Sequence, residues 1–491
     1  MIRWFPGFVI ACLVLSCSKE KTQTLWISAL PHLGAYASPR TCDLNNDGIL
    51  DIVIGTGRNE FQPSDSAVIA LNGATGEVLW HASATDQIVG SATFLDINSD
   101  GIKDVIIGGR GANLMALQGH NGAVIWRYQT QDTVVNSHGY ARFNFYNTQI
   151  IPDQNGDGIP DLLAANGGNV HAPPHSDKLR YPGVLLVINS ANGRVIAADI
   201  MPDGKETYMS PVIHDFDGDG NMSILFGTGG ETVGGNLYMI DLQSFMAEDI
   251  SSAELLIEGQ DHGFIAPPTL ADINGDRVHD IIINYHGGTT YAMDGVDHSI
   301  LWSISFEGLE SSSSVIPGYF NEDGTPDFFT YFCKGEWPDN TGLERIMIDG
   351  KTGKVLYRAS ADCGGIHSGI SVDLNGDKID EVIVNYNSFD CNQPQYQKIV
   401  HHLELIDFTR NSTEVLIPRI FSKSIASTPW IGYLANDGLL DIIFVRMTNT
   451  SALYDANGLQ IERHAITTHS KAEPTWGSYM GSDYSGILSG K

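Results

Sequence analysis

The chain has 491 residues, with 58 Asp and Glu against 28 Lys and Arg, a formal net charge of −30 at pH 7. A surface this acidic repels phosphodiester backbones and anionic lipid, which argues against a nucleic-acid partner. Length alone suggests about three domains, but an internal repeat argues instead for one closed ring of tandem units.

In chain order, the first segment is a targeting signal. Arg3 is its only early charge, and residues 4–15 are apolar but too short to span a bilayer. The run ends in Val14-Leu15-Ser16-Cys17, which resembles a bacterial lipobox. That resemblance implies a signal peptide at 1–16, diacylated Cys17 as the mature N-terminus, and an outer-membrane lipoprotein that is periplasmic or surface-exposed. Residues 17–30 are read as an anchor linker, within which Thr24–Ser28 has the pattern of an outer β-strand. No other stretch is apolar enough to span a membrane.

From 31 to 470, a short acidic loop recurs eight times, 47 to 62 residues apart, between two apolar strands. The first three copies carry Asp43, Asn45, Asp47 and Asp51; Asp96, Asn98, Asp100 and Asp104; and Asp153, Asn155, Asp157 and Asp161. Oxygen ligands at loop positions 1, 3, 5 and 9 can surround one hard cation, and Gly at position 6 permits the reversal that makes them converge. The fourth copy has Asp215, Asp217 and Asp219 but ends in Ser223. The fifth, Asp272, Asn274, Asp276 and Asp280, has Arg277 in the glycine place; the seventh, Asp373, Asn375, Asp377 and Glu381, has Lys378 there. Positive φ on a non-glycine residue is costly, so distortion is expected in these two. The sixth (Tyr319, Asn321, Asp323, Asp327) and eighth (Tyr433, Ala435, Asp437, Asp441) lack the first carboxylate and are expected to be metal-free turns.

An EF-hand would need a bidentate Glu at position 12 and flanking helices. Position 12 is Ile54, Ile107, Ala164, Phe226, Ile283 or Val384 in the six better copies, all inside β-type runs. The loops therefore join two strands. In this they resemble FG-GAP (integrin α-type) β-propeller repeats, which implies several bound calcium ions. About six ions would offset roughly 12 of the negative charges.

Each acidic loop is followed by further strand signals. In the second unit, Leu114–Leu117 and Ala123–Trp126 form a hairpin, giving four short strands per unit. The hairpin ending in Trp80, repeated at Trp302 and Tyr357, resembles the outer strands of PQQ-type propellers. The fold class is therefore all-β: a single β-propeller of eight four-stranded blades, with seven as the alternative. Two segments compete to close the ring. One is Thr24–Ser28, and the other is Pro474–Met480 in the C-terminal segment 471–491. Closure matters because it removes sheet edges.

Strand direction alternates, so acidic loops and outer hairpins share one face, the bottom. Loops leading into each blade and loops after each second strand share the top, where the longer, irregular segments lie. His32, His138, His262 and His367 precede first strands, and His171 and His286 follow second strands. These histidines and Glu231 mark a possible ligand face, for a polar ligand or a transition metal; the simpler expectation is strand capping. Cys42 is expected to be a buried thiol, and Cys363 to pair with Cys333 or Cys391 in an oxidising compartment.

GxSxG, HExxH and CxxC motifs are absent. The leading expectation is a binding, adhesion or scaffold module for protein or glycan. A lyase or hydrolase of acidic glycans would draw on Arg58, Arg110, Arg142 and Arg180 with Glu60 or Glu231 as base. The PQQ-type resemblance admits a dehydrogenase, although the vicinal cysteine pair of those enzymes is missing, and also an outer-membrane assembly factor. If calcium holds the loops, EDTA lowers the melting temperature substantially. A melt unchanged by EDTA, in protein that carries no calcium, overturns that reading.

Overall fold

A computed structural model of the chain describes residues 21–129, 142–337, 339–361, 368–389, 398–435, 437–450, 454–467 and 472–490. The strands form eight antiparallel sheets, one per repeat, which excludes the seven-bladed alternative. Blade one is typical: Arg40–Cys42 innermost, then Asp51–Gly55, Ser64–Leu71 and Val78–Ala84. Helix among the described residues is confined to Leu242–Met246 and a 3-10 turn at Ile250–Ser252.

Burial explains why these runs make blades. The second strand is covered on both sides, so Asp51–Gly55 and Asp104–Gly108 are buried at every position. The outer strand is half solvated, so Val78–Ala84 shows the two-residue alternation of a sheet with one wet side. The core therefore lies between blades. Ile106 and Trp126 of blade two pack with Phe145, Leu162 and Leu186 of blade three in one cluster.

The tryptophans of the outer hairpins act as latches. Trp26, Trp80, Trp126 and Trp302 each donate the indole N–H to a hairpin carbonyl of the next blade: Gly73, Gly119, Ser190 and Gly350, at 2.6 to 2.9 Å. Each ring lies against a glycine of that hairpin. A Cβ on Gly76, Gly122, Gly193 or Gly353 would stand 2.5 to 2.8 Å from indole carbons, and all four have φ between 69° and 73°.

Both ends of the chain have places in the ring, and they differ. Thr22–Leu30 pairs with Leu459–Ile466 and is the outer strand of blade eight, so the first and last repeats share a sheet. Pro474–Trp476 pairs instead with Ser371 and Val372 on the inner strand of blade seven. Beyond it the tail crosses the axis. Gly477 O accepts from Ile431 N of blade eight, the Tyr484 hydroxyl oxygen accepts from Thr41 N of blade one, and Gln149 of blade three donates to Tyr484 O. Leu270 of blade five donates to Gly486 O and accepts from Leu488 N. Trp476, Met480 and Leu488 are buried there, so the C-terminal segment plugs the central channel.

Five residues ahead of the loops stand Ser38, Ser91, Ser210, Ser314, Ser368 and Thr428, and in blade three Asn147 stands six ahead. Thr428, Ser38, Ser91, Asn147 and Ser210 form a circumferential chain. Thr428 N donates to Ser38 Oγ, Ser38 N to Ser91 Oγ, Ser91 N to Asn147 Oδ1 and Asn147 N to Ser210 Oγ, at 2.6 to 3.2 Å. Pro267 at this position in blade five interrupts it. Gly122→Ala is expected to destabilise the protein by more than about 2 kcal/mol, because strain at positive φ adds to the clash with Trp80. Gly308, at φ 72° with open space around it, is the control; Gly308→Ala should cost only about 1 kcal/mol. Equal losses in denaturant melts would remove the latch role.

Candidate functional site: the acidic loops and the top funnel

The acidic loops share one hydrogen-bond scheme. In loop one Asp43 accepts from Asn46 N and Gly48 N, Asn45 from Asp47 N, and Asp47 from Ile49 N. The position-nine carboxylate is buried. Asp51 accepts Leu44 N within the loop and Gly73 N of the outer hairpin, both at 3.0 Å. Asp104 and Asp280 repeat this with Gly119 and Gly295. Position nine therefore ties the inner corner of the blade to its outer hairpin. In loop four Ser223 cannot do this, and Leu242 N bonds Met222 O directly at 2.8 Å.

The distortion expected in loops five and seven does not occur. Arg277 and Lys378 adopt φ 76° and 75° and keep the glycine's hydrogen bond, to Asp272 and Asp373. The turn's internal bonds hold these residues in the left-handed region against a cost of about 1 kcal/mol each.

The donor set fits a hard cation. Asp215, Asp217 and Asp219 bring carboxylate oxygens within 4.8 Å of one another. Burial pushes Asp51 and Asp280 up to about 6 and Glu381 up to about 7, despite backbone N–H groups that act to lower them. A bound divalent ion would offset that penalty.

Blade eight carries its own cation. Arg463 Nε and Nη2 clamp Asp441 at 2.8 and 2.9 Å, Asp437 lies 3.9 Å from Nη2, and Nη1 reaches Gly73 O of blade one at 3.0 Å. The sequence pattern marks loop eight as lacking its first carboxylate, but it does not reveal the guanidinium, which comes from a strand two elements later.

On the opposite face the loops enclose a funnel of about 910 Å³, lined by residues from all eight blades. Its floor is the hydroxyl ring with Tyr479 of the tail. Ser368 Oγ, on that floor, is buried without a hydrogen-bond partner among the described residues. Tyr36, Phe61, Tyr146, Tyr208, Trp337 and Tyr454 supply aromatic wall. Arg110 pairs with Glu60 at 2.5 Å, and Arg180 pairs with Glu206 and holds Thr232. Arg58 and Arg142 are exposed and do not line the funnel. The four-arginine clamp is therefore not assembled: two arginines are engaged by carboxylates and two lie elsewhere.

The histidines divide. Glu231 lines the funnel. His171 stacks on Phe61 at 4.5 Å between ring centroids, and His32 is exposed. His138 and His367 lie outside the described residues. His262 and His286 do meet, behind the wall, with ring centroids 5.3 Å apart. Their common neighbour is Glu310, which has no distinguishing motif in the sequence. Burial acts to raise Glu310, but His286, the Trp337 N–H and His262 outweigh it and hold the carboxyl below its usual range. Cys42 and Cys333 are half-buried free thiols, pushed up by burial to about 11 and about 12. Cys363 and Cys391, the expected disulfide partners, lie outside the described residues.

Fold and site together define an eight-bladed propeller that can serve as a scaffold or binding platform. An FG-GAP-like repeat model matches residues 153–226, which span loops three and four. The chain is similar to Protein FAM234B of mouse, 22% identical over 385 residues, and of human, 21% over 390; each match covers 72% of this chain and 57% of the relative. The europium-containing methanol dehydrogenase superposes with a TM-score of 0.56 at 9% identity, over 91% of this chain and 94% of that one. The quinohemoprotein alcohol dehydrogenase of Comamonas testosteroni gives 0.55 at 10%, over 92% and 77%. BamB of Moraxella catarrhalis gives 0.50 at 11%, over 90% and 99%. At such identities these likenesses concern the fold.

Arg463→Met should destabilise the protein by about 3–5 kcal/mol, because Asp441 is left buried without its counter-charge. The loss should persist in saturating calcium. A calcium-reversible loss, or none, in denaturant titrations would remove Arg463 from this role.

Proposed function

We propose that this chain is a calcium-stabilised, lipid-anchored binding module of the bacterial cell envelope, and that its funnel receives a segment of glycan. The funnel wall carries the reading. Six aromatic side chains surround a floor of hydroxyls, and one of these, Ser368 Oγ, lacks a partner among the described residues. Sugar rings present apolar C–H faces with hydroxyls at the rim, which is the complement of that surface. A cavity of about 910 Å³ suits a few linked sugars better than a folded protein.

Two further features support binding over cleavage. Glu60, one of the two candidate bases, is held by Arg110 in an ion pair and so is poorly placed as a general base. The irregular loops are mounted on a closed ring, which suits recognition by a preformed surface. Cys17 would hold the ring to the membrane, and calcium at the six acidic loops would keep its lower rim rigid. A glycan array followed by titration of the retained sugar tests this. The wild-type protein should retain a glycan without turnover, and Trp337→Ala should weaken it about tenfold. Retention of no glycan sinks the reading, and release of ultraviolet-absorbing unsaturated sugars would replace it with a lyase.

A further inference from the structure

His262, His286 and Glu310 come from three separate segments that meet where blades five and six join. His262 precedes the inner strand Thr269–Ala271, His286 follows Asp280–Tyr285, and Glu310 ends the short strand Leu309–Glu310. Main-chain bonds fix the meeting: His286 N to Gly263 O at 3.1 Å, and Ser311 N to His286 O at 3.0 Å.

The rings are oriented by their far sides. His262 Nδ1 lies 2.5 Å from Glu231 O, and a carbonyl only accepts, so Nδ1 carries the hydrogen. His286 Nδ1 lies 3.1 Å from Ser312 Oγ. Both Nε2 atoms then turn toward Glu310. His262 Nε2 is 3.9 Å from Oε1, and His286 Nε2 is 3.4 Å from Oε2. The His286 side chain is only 4% exposed, and its Nε2 has no hydrogen-bond partner among the described residues. Trp337 N donates to Glu310 Oε2 at 2.8 Å, fixing the carboxylate as well. Imidazoles tied at Nδ1, with both Nε2 atoms directed at one carboxylate, form the outer-shell pattern that orients metal ligands.

We propose that His262, His286 and Glu310 bind one divalent transition ion, zinc or a first-row neighbour, through the two Nε2 atoms and a carboxylate oxygen. Two imidazoles exclude calcium, which takes oxygen ligands, and suit zinc, iron, nickel or copper. The donor atoms lie within 4.8 Å of one another. Around a tetrahedral zinc with bonds of about 2.0–2.1 Å they would stand about 3.3 Å apart. Loading therefore draws them together, and His262, whose side chain is 22% exposed, has room to move. Three protein ligands leave a fourth position for water or for an added ligand. Glu231, Ser312 and Trp337, which orient the set, all line the funnel, so the ion would sit one residue behind its wall.

Mature protein, stripped with EDTA and then saturated with calcium to occupy the acidic loops, is titrated with zinc by calorimetry. One equivalent should bind. His286→Ala and Glu310→Gln should each weaken it at least a hundredfold, and Asp153→Ala should not. Cobalt loading of the wild type gives a second readout that needs no variant: a low-symmetry nitrogen–oxygen site shows intense visible d–d bands. No zinc equivalent in the wild type, affinity unchanged in both variants, or a cobalt spectrum like that of the aqua ion each overturns the proposal. If the variants do not fold, the cobalt spectrum decides.

Discussion

A carboxylate buried at the base of the blade is the constraint on which the ring depends. Seven of the eight repeats place one at loop position nine, from Asp51 to Asp441, and burial is nearly complete in each. It accepts a backbone N–H from its own loop and, in most blades, one from the outer hairpin, so the inner corner and the rim move as one piece. Burying a charge this way is unfavourable unless a cation stands near. In blade eight that cation is covalent, the Arg463 guanidinium. In the loops rich in acidic oxygens, the proposed calcium would take that part. Blade eight is also the sheet in which the two ends of the repeat array meet, so the joint that closes the ring carries its counter-charge within the chain.

Lateral cohesion comes from a different chemistry. Tryptophans at the rim hook onto the next blade's hairpin, apolar clusters fill each junction, and hydroxyls chain the top of several inner strands together. These contacts leave the two faces with separate characters. The lower face is acidic and regular because every repeat contributes the same loop. The upper face is irregular because the loops there carry no repeat constraint. The tail blocks the axis from within, which turns a through-channel into a closed funnel with Tyr479 on its floor.

Much of this was legible in the residues. Loop spacing, the glycine or its substitute at position six, and apolar runs at position twelve specify strand–turn–strand units and their number. The tryptophan hairpins were visible as a pattern, though not as latches, because the hydrogen-bond acceptor belongs to the following blade. Substitution of Arg277 and Lys378 for glycine suggests distortion on local grounds; the shared hydrogen bonds of the turn override that preference. The arginines on top suggest a cationic clamp, which fails because Glu60 and Glu206 engage two of them and the other two point elsewhere.

The residue pattern alone fixes the architecture, because a short-range motif repeated eight times leaves few ways to bury both faces of every sheet. It also determined which face carries the acidic loops, through strand alternation alone. The closing strand, the plug in the channel, the counter-charge of loop eight and the meeting of His262 and His286 with Glu310 emerge from three-dimensional packing. Each of these joins segments from different repeats or from the chain ends, and such pairings depend on how the ring closes in three dimensions, a relation that no local spacing of residues encodes.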